Sequence, residues 1–248
     1  MRTRIKFCGF VQAEDVRTAV SLGVDAVGFV FYPKSPRYVA PEQASALRRL
    51  LPSWVSAVGL FVNEAPPQVQ SVRREVGLDV LQFHGDESPE HCLEAACGAP
   101  WWRAVRMSSP GVLLESSVRY PQAEALLLDS FSSGYGGSGA TFEWSWIPAS
   151  RPIPLVLSGG LKPETAGAAI EAVRPFAVDV SSGIQCEGEP RRKSAHRMAR
   201  FVAEVLQADA RVASRARSLP GAHAVSATAG EPVKTVSSAA GHLPSADR

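Results

Sequence analysis

Two side chains in this sequence could pass protons at carbon and at oxygen. One is the thiol of Cys8, followed at once by Gly9; the other is the carboxyl of Asp129, which precedes Ser130 and a glycine-rich stretch. A thiolate is a capable base and a carboxylic acid a capable donor, provided the surroundings tune each group to its task. Taken singly, Cys8 could be a small core residue and Asp129 could merely cap the loop behind it. Two further stretches could hold an anion: Ser158-Gly159-Gly160-Leu161 and Ser181-Ser182-Gly183. They lack bulk, so backbone amides and hydroxyls can approach an oxyanion closely, although either alone could be an ordinary tight connection. Lys34 and Arg37 add cations, and His84 with Gln82 adds an imidazole and an amide that could equally be a core pair.

What these residues share is position, since each comes just after a short apolar run. Strands are expected over 5–7, 26–31, 57–62, 80–83, 101–105, 125–128, 154–157 and 177–180. Helices are expected between them, over 13–22, 41–51, 66–76, 89–97, 111–118, 142–147, 164–173 and 192–207. Pro41, Pro66 and Pro89 stand at first-turn positions, where the missing amide hydrogen would have been unpaired anyway. Eight rounds over about 208 residues give about 26 per unit, near the size of one β/α unit of a (β/α)8 barrel. Continuous apolar runs such as 27–31 fit parallel strands covered on both faces. The expected fold is therefore a (β/α)8 TIM barrel over 1–208 with a disordered tail, and an open doubly wound sheet is the alternative. In a barrel the C-terminal strand ends make one face, which would gather the thiol, imidazole, carboxyl, guanidinium groups and both Gly/Ser turns. That ring predicts proton-transfer chemistry on a small molecule carrying a phosphate.

Composition sets the outer bounds. Of 248 residues, 45% are hydrophobic and 20% charged, which excludes a mainly disordered chain, a collagen and a disulfide scaffold. No run approaches the roughly 18 apolar residues of a membrane span, and the N-terminus lacks a secretory core, so a cytoplasmic protein without a membrane partner is expected. Setting aside the five basic and three acidic residues beyond 208 leaves 21 of each sign, a neutral barrel with no field to draw nucleic acid. Cys8, Cys92, Cys97 and Cys186 lack CxxC pairing and metal-ligand spacing, so reduced thiols and no metal site are expected. Residues 209–248 turn to Ala, Ser, Gly and Pro without an aromatic side chain, the composition of a disordered tail. Gly134, Gly136 and Gly139 fit GxGxxG by count, but no acidic residue on a following βαβ unit completes a dinucleotide site; a mobile loop beside Asp129 is the reading.

The same residues make the chain resemble the phosphoribosylanthranilate isomerases. The resemblance runs from about Ile5 to Leu206 and rests on Lys6-Phe7-Cys8-Gly9, Ser35-Pro36-Arg37-Tyr38-Val39, Gly59-Leu60-Phe61-Val62-Asn63 and Leu81-Gln82-Phe83-His84-Gly85-Asp86-Glu87. It continues in Leu128-Asp129-Ser130, Gly136-Gly137-Ser138-Gly139, Ser158-Gly159-Gly160-Leu161 and Val178-Asp179-Val180-Ser181-Ser182-Gly183. It implies an Amadori rearrangement of N-(5-phosphoribosyl)anthranilate to 1-(2-carboxyphenylamino)-1-deoxyribulose 5-phosphate in tryptophan biosynthesis, without metal or organic cofactor. It further implies Cys8 as general base, Asp129 as general acid, Arg37, His84 and Gln82 as substrate-binding, and Gly159, Gly160, Ser181, Ser182 and Gly183 as phosphate-binding. A monomer is expected, with a homodimer as the alternative. The chain departs from the family pattern at Phe10 and Val11, at Gln185 where a Glu is usual, and over 189–192 where a Lys-Asp pair is usual. Two other readings remain, a related phosphosugar isomerase and a noncatalytic phosphosugar binder. The former is expected to use two aspartates, against which Cys8 argues.

Overall fold

The structure, a computed structural model, describes residues 2–130 and 141–218. The eight apolar runs form strands β1 (Arg4–Cys8), β2 (Ala26–Val30), β3 (Ser56–Phe61), β4 (Val80–Phe83), β5 (Trp101–Met107), β6 (Ala125–Ser130), β7 (Leu155–Leu157) and β8 (Ala177–Val180). The helices are α1 (Ala13–Ser21), α2 (Pro41–Arg48), α3 (Pro66–Val76), α4 (Pro89–Ala96), α5 (Gly111–Arg119), α6 (Pro163–Val173) and α7 (Ala195–Ser218). The strands pair in chain order and in parallel, and β8 returns to β1 with Arg4 opposite Ala177 and Lys6 opposite Asp179. That last pairing closes the barrel and rules out the open sheet.

Strand periodicity of two divides the residues between two cores. Outward-facing Val27, Phe29, Ala57, Phe61, Leu81 and Phe83 pack with Val16, Leu47, Val69, Ile170 and Phe201 of the helices. Phe201 meets Phe7 edge-on at 5.8 Å between ring centres, docking α7 on β1. Full burial of one such ring contributes about 2 kcal/mol. Inward-facing Ala26, Val58 and Val80 form one small cluster and Ala104, Ala125, Leu127, Val156 and Ala177 another, both against Trp102. Two residues further along these inward columns come Gln82, Asp129, Ser158 and Asp179. The polar residues of the site are thus the upper layer of the barrel's own packed interior.

The structure departs from expectation in three places. A sixth helix over 142–147 is instead a single 3-10 turn, Trp144–Trp146, because Pro148 stops the segment before an α-helix can form. The segment before the last helix is a hairpin of β9 (Gln185–Cys186) and β10 (Glu189–Lys193), turning at Gly188 with φ +71°. The helix starts only after Ser194, whose Oγ accepts from the Arg197 amide at 3.3 Å. Third, α7 runs past 208 to Ser218, so the disordered tail expected over 209–248 is corrected for 209–218. Ala and Arg are strong helix formers, and here they have partners. Asp209 accepts from Thr3 N and Thr3 Oγ1, both at 2.7 Å, while Arg211 and Arg215 pair with Glu171 of α6 at 2.6 and 2.8 Å. The remainder of the expected tail, 219–248, and the expected mobile loop with Gly134, Gly136 and Gly139 lie outside the described residues. Among the described residues no helix is long and apolar enough to cross a membrane.

Candidate active site

A cavity of about 440 Å³ opens at the C-terminal end of the barrel. Cys8, Arg37, Gln82, His84, Asp129, Gly159, Gly160, Ser181 and Ser182 all line it, with Lys34, Ser158 and Asp179 beside them. Of the residues expected at the site only Gly183 stands outside the lining. A Cβ there would lie 2.0 Å from the Leu161 carbonyl oxygen, so Gly183 is required where the turns after β7 and β8 press together. Arg106, near the end of β5, pairs with Asp86 outside this lining. A second hollow of about 500 Å³ lies at the other end of the barrel, and none of the expected site residues reaches it.

Asp129 ends an inward column of β6 and is only 7% exposed. Its Oδ1 accepts from the Ser130 amide at 2.9 Å, and its Oδ2 lies 3.2 Å from His84 Nε2. On the far side of the ring, His84 Nδ1 lies 2.9 Å from Gln82 Nε2, so an amide that donates to Nδ1 leaves the imidazole proton on Nε2, directed at Asp129. His84 and Gln82 line the cavity as expected, but their hydrogen bonds run to the carboxyl and to each other. The loop carrying His84 is held by a buried knot. Glu87 accepts from Arg103 Nη1 at 2.6 Å and from the Asn63 amide at 2.7 Å, while Arg103 Nη2 donates to the Gly85 carbonyl at 2.9 Å. Such a fully bonded ion pair fixes geometry more than it adds stability.

Cys8, at the end of β1, is 4% exposed. Burial pushes its thiol above the ordinary value, the Lys6 ammonium opposes that push most strongly, and Lys193 helps Lys6. Neither lysine is visible as a site residue in the sequence. Lys6 sits two residues before Cys8 on the same face of the strand, a position that period-two reading could have marked. Lys193 reaches the site from β10, remote in sequence. Its Nζ donates to the Ser181 carbonyl at 3.0 Å and sits 5.7 Å from the Phe10 ring centre, and Ser181 Oγ in turn donates to the Cys8 carbonyl at 2.9 Å. Burial, with Arg37 adding to it, pulls the Lys193 ammonium down to about 7. Cys92, by contrast, sits on the buried face of α4 with its thiol pushed by burial up to about 12, an inert core residue.

The cationic end is built by Arg37. Burial lowers its hold on the proton, Cys8 opposes this, and among the described residues it makes no ion pair. Nη2 donates to the neutral Gln185 Oε1 at 3.2 Å, while Nε is buried without a partner. A buried, unneutralised guanidinium facing a cavity is suited to a carboxylate, whose two oxygens match its planar fork. At the opposite wall Gly159 and Gly160 have φ +78° and +65°, the left-handed region open to glycine. A Cβ on Gly159 would also stand 2.6 Å from the Ser130 amide nitrogen. The backbone can therefore turn tightly beside Asp129.

The chain has matches among known proteins. Residues 5–204 match the family model described as N-(5'phosphoribosyl)anthranilate (PRA) isomerase. The chain belongs to that family. Its activity is the family's isomerisation of phosphoribosylanthranilate in tryptophan biosynthesis. The isomerase of Dechloromonas aromatica is 49% identical over 210 residues, covering 84% of this chain and 99% of its own length. Among solved structures, phosphoribosyl anthranilate isomerase from Thermotoga maritima is 43% identical with a TM-score of 0.77, covering 83% of this chain and 99% of its own. Another solved isomerase, 38% identical with a TM-score of 0.70 over 83% of this chain and 99% of its own, is in complex with reduced 1-(o-carboxyphenylamino)-1-deoxyribulose 5-phosphate.

Proposed function

We propose that this isomerase carries out its Amadori rearrangement with Asp129 as general acid and Cys8 as general base. The carrying observation is that both groups, from strands on opposite sides of the barrel, line one cavity that also holds an unneutralised Arg37. Asp129 gives its proton to the ribose ring oxygen, the bond from that oxygen to C1 breaks, and the anilino nitrogen's lone pair completes an iminium. His84 steadies the carboxyl during the transfer. Cys8, as thiolate, takes the proton from C2, and its electron pair forms the C1–C2 double bond of an enolamine. Tautomerisation, in which the C2 hydroxyl gives up its proton as C1 gains one, leaves the C2 ketone. Arg37 binds the anthranilate carboxylate, and the turns bearing Gly159, Gly160, Ser181 and Ser182 bind the phosphate, the first on backbone amides and the second with the Ser182 hydroxyl as well. We take the monomer as the working unit, with a homodimer as the alternative.

The test follows the fluorescence of freshly generated phosphoribosylanthranilate after protein is added. Wild type should consume it; Cys8→Ser and Asp129→Asn should each lose about 10²-fold or more in kcat with folding intact, the usual scale for a positioned acid or base. Near-native turnover in either variant rejects the role given to that residue. A folded wild type that binds the phosphosugar without turnover would favour the noncatalytic binder.

A further inference from the structure

Lys6 is only 1% exposed, among the most deeply buried charged side chains described. It occupies the barrel interior one layer below Cys8, because residues two apart on β1 face the same way. Its Nζ donates to Asp179 Oδ1 at 2.7 Å, directly across the β1–β8 pairing, and Asp179 Oδ2 accepts from Ser158 Oγ at 3.2 Å. Burial by itself would pull the Lys6 ammonium down, but Asp179 and Cys8 together keep it above its ordinary value, a charged group at any neutral pH.

Stability does not explain a cation in this place. Removing two charges from water costs several kcal/mol per ion, and apolar residues of similar volume often serve as well or better. Elsewhere the interior uses them: Ala104, Leu127 and Val156 fill inward columns. What distinguishes the β1 column is the thiol above it. We infer that Lys6 is a positioning residue of this isomerase, the counter-ion of the Cys8 thiolate, with its ammonium held in place by Asp179 and Ser158.

The inference rests on reading Cys8 as the base. The charged groups around the thiol are Lys6 from β1, Lys193 from β10, Arg37 from the loop after β2 and Asp179 from β8; Lys6 and Arg37 favour the thiolate, Lys193 does so only while it holds its proton, and Asp179 opposes it.

The experiment measures the pH dependence of iodoacetamide alkylation at Cys8, read by mass spectrometry of its peptide. It uses the full chain carrying Cys97→Ser and Cys186→Ser. Lys6→Met should move the alkylation midpoint up by a pH unit or more and slow alkylation about tenfold at pH 8, with the acid limb of kcat/KM moving the same way. Asp179→Asn should move the midpoint down. Because Lys6→Met leaves a buried carboxylate unpaired, the double variant Lys6→Met/Asp179→Asn provides a second reading in which neither charge remains. It should still move the midpoint up, since Lys6 outweighs Asp179 at the thiol. A folded Lys6→Met and a folded double variant that both keep the wild-type midpoint would overturn the inference. Alkylation reports the thiol whether or not it is the base. A Lys6-dependent midpoint together with full turnover in Cys8→Ala would therefore sink the base assignment and leave the counter-ion standing.

Discussion

The buried ammonium of Lys193 makes the stability of this barrel depend on pH in a direction opposite to that of most salt-bridged lysines. Lys193 is 4% exposed and donates to Ser181, and among the described residues it has no carboxylate within ion-pair distance, although Asp15 and Asp179 favour its charge from further off. Folding lowers its proton affinity from the ordinary 10.5 to about 7. Between those values the unfolded chain holds a proton that the folded chain has lost, so stability rises with pH through that window. At pH 6 nearly the whole interval counts against folding, roughly 5 kcal/mol at 1.36 kcal/mol per pH unit, and at pH 8.5 about 3 kcal/mol remains. Wild type should therefore gain about 2 kcal/mol relative to Lys193→Met between pH 6 and pH 8.5. Urea unfolding of both proteins at both pH values measures this. Comparing the two cancels other groups that titrate in the same range, and the Ser181 bonds lost in the variant, about 1 kcal/mol each, offset both pH values equally. A wild-type-to-variant difference that stays flat, or that shrinks in wild type's disfavour as pH rises, would refute the reasoning.

Arg37→Met should raise KM for phosphoribosylanthranilate by about 10²-fold while changing kcat much less, because a lost charge-assisted, two-oxygen contact costs about 3 kcal/mol of binding; steady-state kinetics separate the two parameters. Arg37→Lys should recover only part of this, since an ammonium cannot match both carboxylate oxygens. Truncation after residue 208 removes Asp209, Arg211 and Arg215, and with them the bonds to Thr3 and Glu171. Denaturation should show a loss of about 1–2 kcal/mol with kcat unchanged, because the Thr3 bonds are partly buried and the Glu171 pairs are exposed.

Most of the barrel could be read along the chain because its signals are local. The runs from Ile5, Ala26 and Val80 carry strand periodicity, and Pro41, Pro66 and Pro89 each open the helix they were expected to open. Cys8, Asp129, Ser158 and the Ser181 turn follow from the rule that a barrel gathers the ends of its strands, which needs only the element order. Pro148, a local signal, stopped the helix expected over 142–147, and the other two errors arose where a local signal was overridden by packing. Residues 209–218 have the composition of a tail but become helix because Glu171 and Thr3, 40 and 206 positions away, receive them. Arg192 and Lys193, expected to open the last helix, instead end a strand that pairs back on Gln185 and Cys186.

What the sequence by itself determined is the order of the elements and which residue types stand at their ends, since periodicities of two and 3.6 and the placing of proline and glycine act over a few residues. What only the tertiary structure decided is the electrostatics of the thiol. Lys6 meets Asp179 across 173 positions of sequence, and Lys193 is anchored through its amide to Asp15 across 178. Barrel closure sets those contacts by bringing β8 beside β1 and laying β10 against the mouth. The charge a buried group carries depends on which partners share its low-dielectric surroundings, and no stretch of neighbouring residues contains that information.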